Sequence, residues 1–340
     1  MAVGSEGVLV GGSNGRLEML SSAGRSVWVV ENPGRSVVFI RTTESMDCSV
    51  VALVPADGST LAPRVLVLGS DGRRLWYADA GGPKRNVDAY VSQDASRVLL
   101  VQDAEKDGQV TVSLRDGANG RELWHDSISD AAAWKVAASS SLQRIAVGAV
   151  VVSRDGLPPS GELRTYSLEG LVDELPLESP SFPALINSTS IVLAALDGRL
   201  EECAWSGGPI GPAMSLCSAT YPSAVDARAG YIMVTSYART VEETATSEMT
   251  RVSVFDPARK LVLSKERSSA VAFTTSLAAD GSAVVMVPDS AGAGRGVVIP
   301  VGTGREYPLP SGVTAAEAIG GAAIVMGASD GSVSTGHYSQ

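Results

Sequence analysis

Asp116-Gly-Ala-Asn-Gly-Arg-Glu-Leu-Trp124 closes on a tryptophan four residues after a Gly-Arg pair. Ser70-Asp-Gly-Arg-Arg-Leu-Trp76 and Ser22-Ala-Gly-Arg-Ser-Val-Trp28 repeat the arrangement. The glycines are Gly24, Gly72 and Gly120, so the step is 48 residues each time. A fixed period of that length means one structural unit copied along the chain. Within each copy, glycine supplies the left-handed turn, and the indole is a large apolar ring suited to packing between neighbouring units.

Around these segments, short apolar blocks recur between Gly, Asp, Asn, Ser and Pro: Val8 to Val10, Ser49 to Val54, Val98 to Val101, Ile145 to Val152, Ile191 to Ala195, Ala283 to Val287 and Ala322 to Met326. They are rich in β-branched residues, too short for core helices, and show no 3.6-residue period, so they read as strands. A polar turn and an alternating strand follow each block, beginning at Arg16, Arg64, Gln109, Glu162, Arg199, Arg251, Gly296 and Ser332. The mean spacing is about 45 residues, the length of a four-stranded propeller blade. The sequence therefore predicts an all-β fold, a single β-propeller of about eight four-stranded blades spanning 1–340. The first unit starts at Val8 without an evident first strand, and the eighth ends without its last. If strands from both termini close the ring by sharing one sheet, the count becomes seven. The equivalence of Val8–Leu20 and Ala323–Tyr338 favours eight. Where units run long, the surplus is read as loop insertions near 55–63, 153–161 and 238–250, natural carriers of specificity on a rigid scaffold.

Composition narrows the function. The net charge of -10 argues against a nucleic-acid binder, which needs a basic face to release counterions. Three cysteines, Cys48, Cys203 and Cys217, form no Cys-x-x-Cys pair and no disulfide framework; buried thiols are expected, with a Cys203–Cys217 bridge as the alternative. No apolar run approaches the ~18 residues that span a bilayer. Met1 to Gly7 lacks the pattern of a secretory signal. The compartment is expected to be cytoplasmic if the chain is complete, or the cell envelope or exterior if a leader or anchor has been removed.

The turn-and-tryptophan motif resembles the repeat of quinoprotein-like (PQQ-repeat, WD40-like) β-propellers. Asp256-Pro-Ala-Arg-Lys-Leu-Val262 and Gly302-Thr-Gly-Arg-Glu-Tyr307 look like degenerate copies. Some members of that family hold pyrroloquinoline quinone and calcium and oxidise alcohols or sugars; many have lost the cofactor and serve as scaffolds. The alcohol dehydrogenases carry a vicinal Cys-Cys pair that this chain lacks. The resemblance therefore implies a cofactor-free propeller.

The residues themselves assemble no catalytic set. His125 and His337 are the sole histidines, too few and too far apart for a His-x-His clamp. Asp103-Ala-Glu-Lys-Asp107-Gly108 has alternating carboxylates before a glycine, as in a calcium loop, but Lys106 interrupts it and no distal Glu follows. It reads as a hairpin turn. The other Asp-Gly pairs are turn signals as well. Asn187-Ser-Thr189 is a formal glycosylation triplet, and Glu242-Glu243 reads as a solvated loop or an acidic docking site. No catalytic, cofactor-binding or metal residues are assigned. The expected function is a non-catalytic scaffold for protein partners. The alternatives are small-molecule or carbohydrate binding, or a divergent enzyme, at the central funnel, and an extracellular or filament subunit. Convergence of polar groups on one concave site would favour the funnel; apolar exposure on the rim would favour the scaffold.

Overall fold

A computed structural model describes the chain except residues 57–59, 81–85, 105–107, 153–157, 186–189, 206–209, 211–212, 217–220, 242–245, 270–271, 289–294, 321, 329–331 and 339–340. Every regular element among the described residues is a strand. They form eight antiparallel sheets, seven of four strands and one of three, the blades of a β-propeller. The strands of each blade are consecutive in sequence, as short turns between antiparallel neighbours require. The chain divides into two compact units, Met1–Pro176 and Leu177–Gln340.

In the first unit, the first strands of blades 1 to 4 are Ala2–Gly4, Arg35–Thr42, Val87–Val91 and Ala131–Ala138. Their fourth strands are Ser26–Glu31, Arg74–Asp79, Glu122–Ser129 and Gly170–Leu177. The second strands of blades 2 to 4 are buried on both faces over most of their length. In Arg97–Asp103, Leu99 and Val101 join a core with Ile145, Val147 and Tyr166 of blade 4. Val98 and Leu100 join one with Val50, Val67 and Trp76 of blade 2. Side chains alternate across a strand, so each serves two cores and reads as an unbroken apolar run. The fourth strands keep one face in solvent.

The second unit repeats the scheme with blades 5 to 8, whose first strands are Ser181–Leu185, Tyr221–Arg228, Phe273–Leu277 and Val313–Gly320. Blades 6 and 7 share Met233, Val252, Leu263, Phe273 and Val284; blades 7 and 8 share Val285, Val298, Ile324 and Tyr338.

Two sequence expectations change. Blade 1 has a first strand: Ala2–Gly4 pairs with Gly7–Gly11, placing Ala2 opposite Leu9. Three small residues are too short a run to carry a strand signal. Blade 8 does end on its third strand, Val333–His337. No described sheet mixes strands from the two termini; each terminal blade draws on one end of the chain, which gives eight blades and not seven. Most of Ala238–Thr250, expected as a loop, is ladder: Tyr231–Val241 and Thr246–Phe255 stay paired out to Val241 opposite Thr246, and 242–245, including Glu242 and Glu243, lie outside the described residues.

Candidate functional site

The three repeat tryptophans each link a blade to the next. Trp28 Nε1 donates to the Ser70 carbonyl at 2.8 Å, Trp76 Nε1 to Gly117 at 2.8 Å, and Trp124 Nε1 to Leu168 at 3.0 Å. Trp76 lies so close over Gly120 (φ 72°) that a Cβ there would stand 2.7 Å from its Cδ2. Glycine is required twice over, by its left-handed backbone and by the ring above it. Trp124 instead stacks on Tyr166, centroids 5.4 Å apart and 9° from parallel.

Because the indole points between blades, the residues on either side of it point away. Val27 and Val29 flank Trp28, Leu75 and Tyr77 flank Trp76, and Leu123 precedes Trp124; all are exposed, with Val27 at 58%. Leu171 and Val172 continue the series on blade 4, and Leu261 and Val262 repeat it on blade 6 of the second unit. Among the described residues, nine of the fifteen exposed large apolar side chains lie on fourth strands. That is a repeated apolar edge and not a random scatter. Arg64, held by Asp79 at 2.6 and 3.0 Å, lies 4.0 Å from the Tyr77 ring centroid.

A second feature opens over the first strands of blades 2, 3 and 4. It is a cleft of about 410 Å³ lined by Phe39, Arg41, Asn86, Asp88, Trp134 and Lys135. Arg41 pairs with Asp88 and donates to the Ala89 carbonyl. Its guanidinium lies 3.7 Å from the Tyr90 centroid and 4.7 Å from that of Phe39. Burial works against its charge, while Tyr90 and Asp88 together hold its pKa above the ordinary value. Asp103 organises the opposite wall: Oδ1 accepts Trp134 Nε1–H at 2.7 Å, and Oδ2 accepts the Asn86 backbone and side-chain N–H groups at 2.8 and 3.1 Å. Lys135 is exposed beside them. The cleft thus offers a half-buried indole, a fixed guanidinium–carboxylate pair and an exposed ammonium, the set that recognises a small polar or polyhydroxylated molecule.

Among the residues singled out in the sequence, Asp103 serves Trp134 and Asn86, while Glu105 to Asp107 lie outside the described residues. His125 Nδ1 stands 2.8 Å from Glu122 Oε1 on an exposed edge, and His337 lies on the last strand of blade 8. Among the described residues no three His, Cys, Asp or Glu side chains are grouped to hold a metal. Cys48 and Cys203 are buried free thiols; Cys217 and Asn187 lie outside the described residues. No described helix is long and apolar enough to cross a membrane. Sequence reading missed the cleft because Arg41, Asp88 and Trp134 come from three separate units and share no local motif. Their one common signal is placement on first strands.

No protein-family model matches the chain, and no curated protein resembles it in sequence. Its fold is similar to solved β-propellers. The C-terminal WD40 domain of Sif2 aligns with a TM-score of 0.66 at 12% identity, covering 98% of this chain and 92% of that one. BamB from Moraxella catarrhalis gives 0.62 at 12% identity, covering 99% and 95%. Sqt1 of Saccharomyces cerevisiae gives 0.61 at 10%, covering 98% and 92%. At such identities the likeness speaks to the fold: WD40 and BamB-type propellers.

Proposed function

We propose that this chain is a non-catalytic scaffold that binds protein partners through the fourth-strand edges of its blades. The observation that carries the reading is the repeated exposure of Val27, Val29, Leu75, Tyr77 and Leu123 on either side of the inter-blade indoles. An apolar side chain kept in solvent at the same register of successive units is surface that a partner would remove from water. The net charge of -10 directs the reading to protein and away from nucleic acid. Propeller neighbours support it at the level of fold alone.

The test is co-purification from the native host with the intact chain and with Val27→Asp, Leu75→Asp and Leu123→Asp, all solvent-facing changes that leave the cores alone. A stoichiometric protein retained by the parent and lost with these variants is the expected result. Equal retention by all four proteins would overturn it.

A second reading, binding of a small polar molecule or carbohydrate, is favoured by the Arg41–Asp88 pair beside Trp134. Thermal-shift screening of sugars and small organic acids, repeated on Trp134→Ala, tests it. A stabilising compound whose effect survives that substitution would place the binding elsewhere.

A further inference from the structure

The inter-blade indole has a fixed address. Trp28, Trp76 and Trp124 stand opposite Met19, Val67 and Leu114 of the third strand, immediately before a bulge. Each donates to the carbonyl of the first turn residue after the third strand of the following blade. In blade 6 the same address, opposite Val254 and before the bulge, belongs to Leu263. Leu263 occupies the equivalent floor: a Cβ on Gly304 of blade 7 would stand 3.4 Å from its Cδ1. Leucine has neither the second ring nor the N–H. The matching acceptor is the carbonyl of Val301, the residue that follows the third strand Val297–Pro300. Among the described residues no donor reaches that carbonyl.

A cleft of about 550 Å³ lies at this place, lined by Tyr231, Val262, Val301, Thr303, Asp256 and Lys260 among others. Asp256 caps the turn by accepting the Lys260 backbone N–H at 2.9 Å. The Lys260 side chain is exposed.

We infer that this cleft receives a tryptophan side chain presented by a protein partner, its indole N–H donated to the Val301 carbonyl and a neighbouring carboxylate of the partner set against Lys260. The inference rests on the scaffold reading for the polypeptide source of the indole. The chemistry of the occupant comes from the molecule itself, which fills the same address with an indole in three other blades. An aromatic ring with one N–H donor satisfies the free acceptor and covers the exposed face of Val262. A carboxylate adds charge complementarity at Lys260.

The test uses the intact chain and four probes followed by ligand-observed NMR: N-acetyl-tryptophan, N-acetyl-tryptophanamide, N-acetyl-leucine and free tryptophan. N-acetyl-tryptophan is expected to bind about tenfold more tightly than N-acetyl-leucine. Leu263→Trp, which supplies an internal indole, should weaken the probe by about tenfold or more while the circular dichroism spectrum is unchanged. Lys260→Glu, at an exposed position, should weaken N-acetyl-tryptophan and leave the amide within about twofold. Equal binding of the tryptophan and leucine probes, or binding indifferent to both substitutions, would overturn the inference. Free tryptophan binding more tightly than its N-acetyl form would refute the polypeptide source. These probes report on the cleft whether or not the fourth-strand variants lose a partner, so the two readings fail separately.

Discussion

Trp76 and Gly120 form a pair whose coupling can be worked out before it is measured. Trp76 is 8% exposed, and truncating such a buried indole to alanine costs about 3–5 kcal/mol from lost transfer energy and the cavity left behind. The lost hydrogen bond to Gly117 is about 1 kcal/mol of that sum. Gly120→Ala acts at two levels. Its φ of 72° is left-handed, which costs a side-chain-bearing residue about 1–2 kcal/mol. The new Cβ would also stand 2.7 Å from Cδ2 and 2.9 Å from Cγ of Trp76, an overpacking of about 1–3 kcal/mol. In the Trp76→Ala background the second cost disappears and the first remains. Gly120→Ala should therefore cost about 1–3 kcal/mol less once the indole is gone, as a double-mutant cycle reads it. The assay is urea unfolding followed by far-UV circular dichroism, with midpoint and slope fitted for whichever transition the single variants move. Additivity within about 0.5 kcal/mol would refute the packing described here.

Three further outcomes are expected. Arg164, 12% exposed, holds Asp126 at 2.7 Å and Glu174 at 3.3 Å, and Arg164→Met should cost about 3–5 kcal/mol by leaving the Asp126 carboxylate beside Glu162 with no cation. The same cluster sets an acid response. Burial alone would raise the Asp126 pKa, but Arg164, Ser127 and Tyr166 more than offset it and hold it below the ordinary 3.8. A lowered folded pKa gives stability that is present above 3.8 and lost as pH falls through the folded value, so the parent should lose stability on acidification over that window and Arg164→Met should lose less of it. Burial, helped by Asp47, pushes the Cys48 thiol up to about 11. Iodoacetamide at pH 8 should therefore leave Cys48 unlabelled in the folded chain and modify it in urea, as peptide mapping reads; rapid native labelling would contradict its place in the core.

What could be read in advance follows from what repeats locally. Gly24, Gly72 and Gly120 with their tryptophans announced the period, because the turn and the indole lie four residues apart and report on one hairpin. Ala2–Gly4 stayed hidden since its pairing with Gly7–Gly11 needs no side-chain pattern. Ala238–Thr250 looked like a loop because its polar residues suit turns, whereas Tyr237 opposite Thr250 and Glu248 opposite Arg239 show a ladder continuing beyond the core. Comparison of letters placed Val262 in the tryptophan position. The hydrogen-bonded turn runs instead from Asp256 to Arg259, as from Gly69 to Gly72, with Arg259 in the left-handed region at φ 66°. That one-residue slip exchanges faces and gives the position to the buried Leu263. The Arg41, Asp88 and Trp134 cleft was invisible because its members meet only when three blades stand side by side.

The indole hooks all point one way along the chain. Each reaches a carbonyl 41 to 44 residues further on, so a blade finishes its own packing only when its successor exists. On a ribosome, synthesis from the N-terminus would deliver each acceptor turn 41 to 44 residues after its hook, and blades 2, 3 and 4 would each lock the one before. The same rule makes lengthening simple for evolution. Duplicating a whole repeat supplies a hook and an acceptor together, whereas a partial copy strands one without the other.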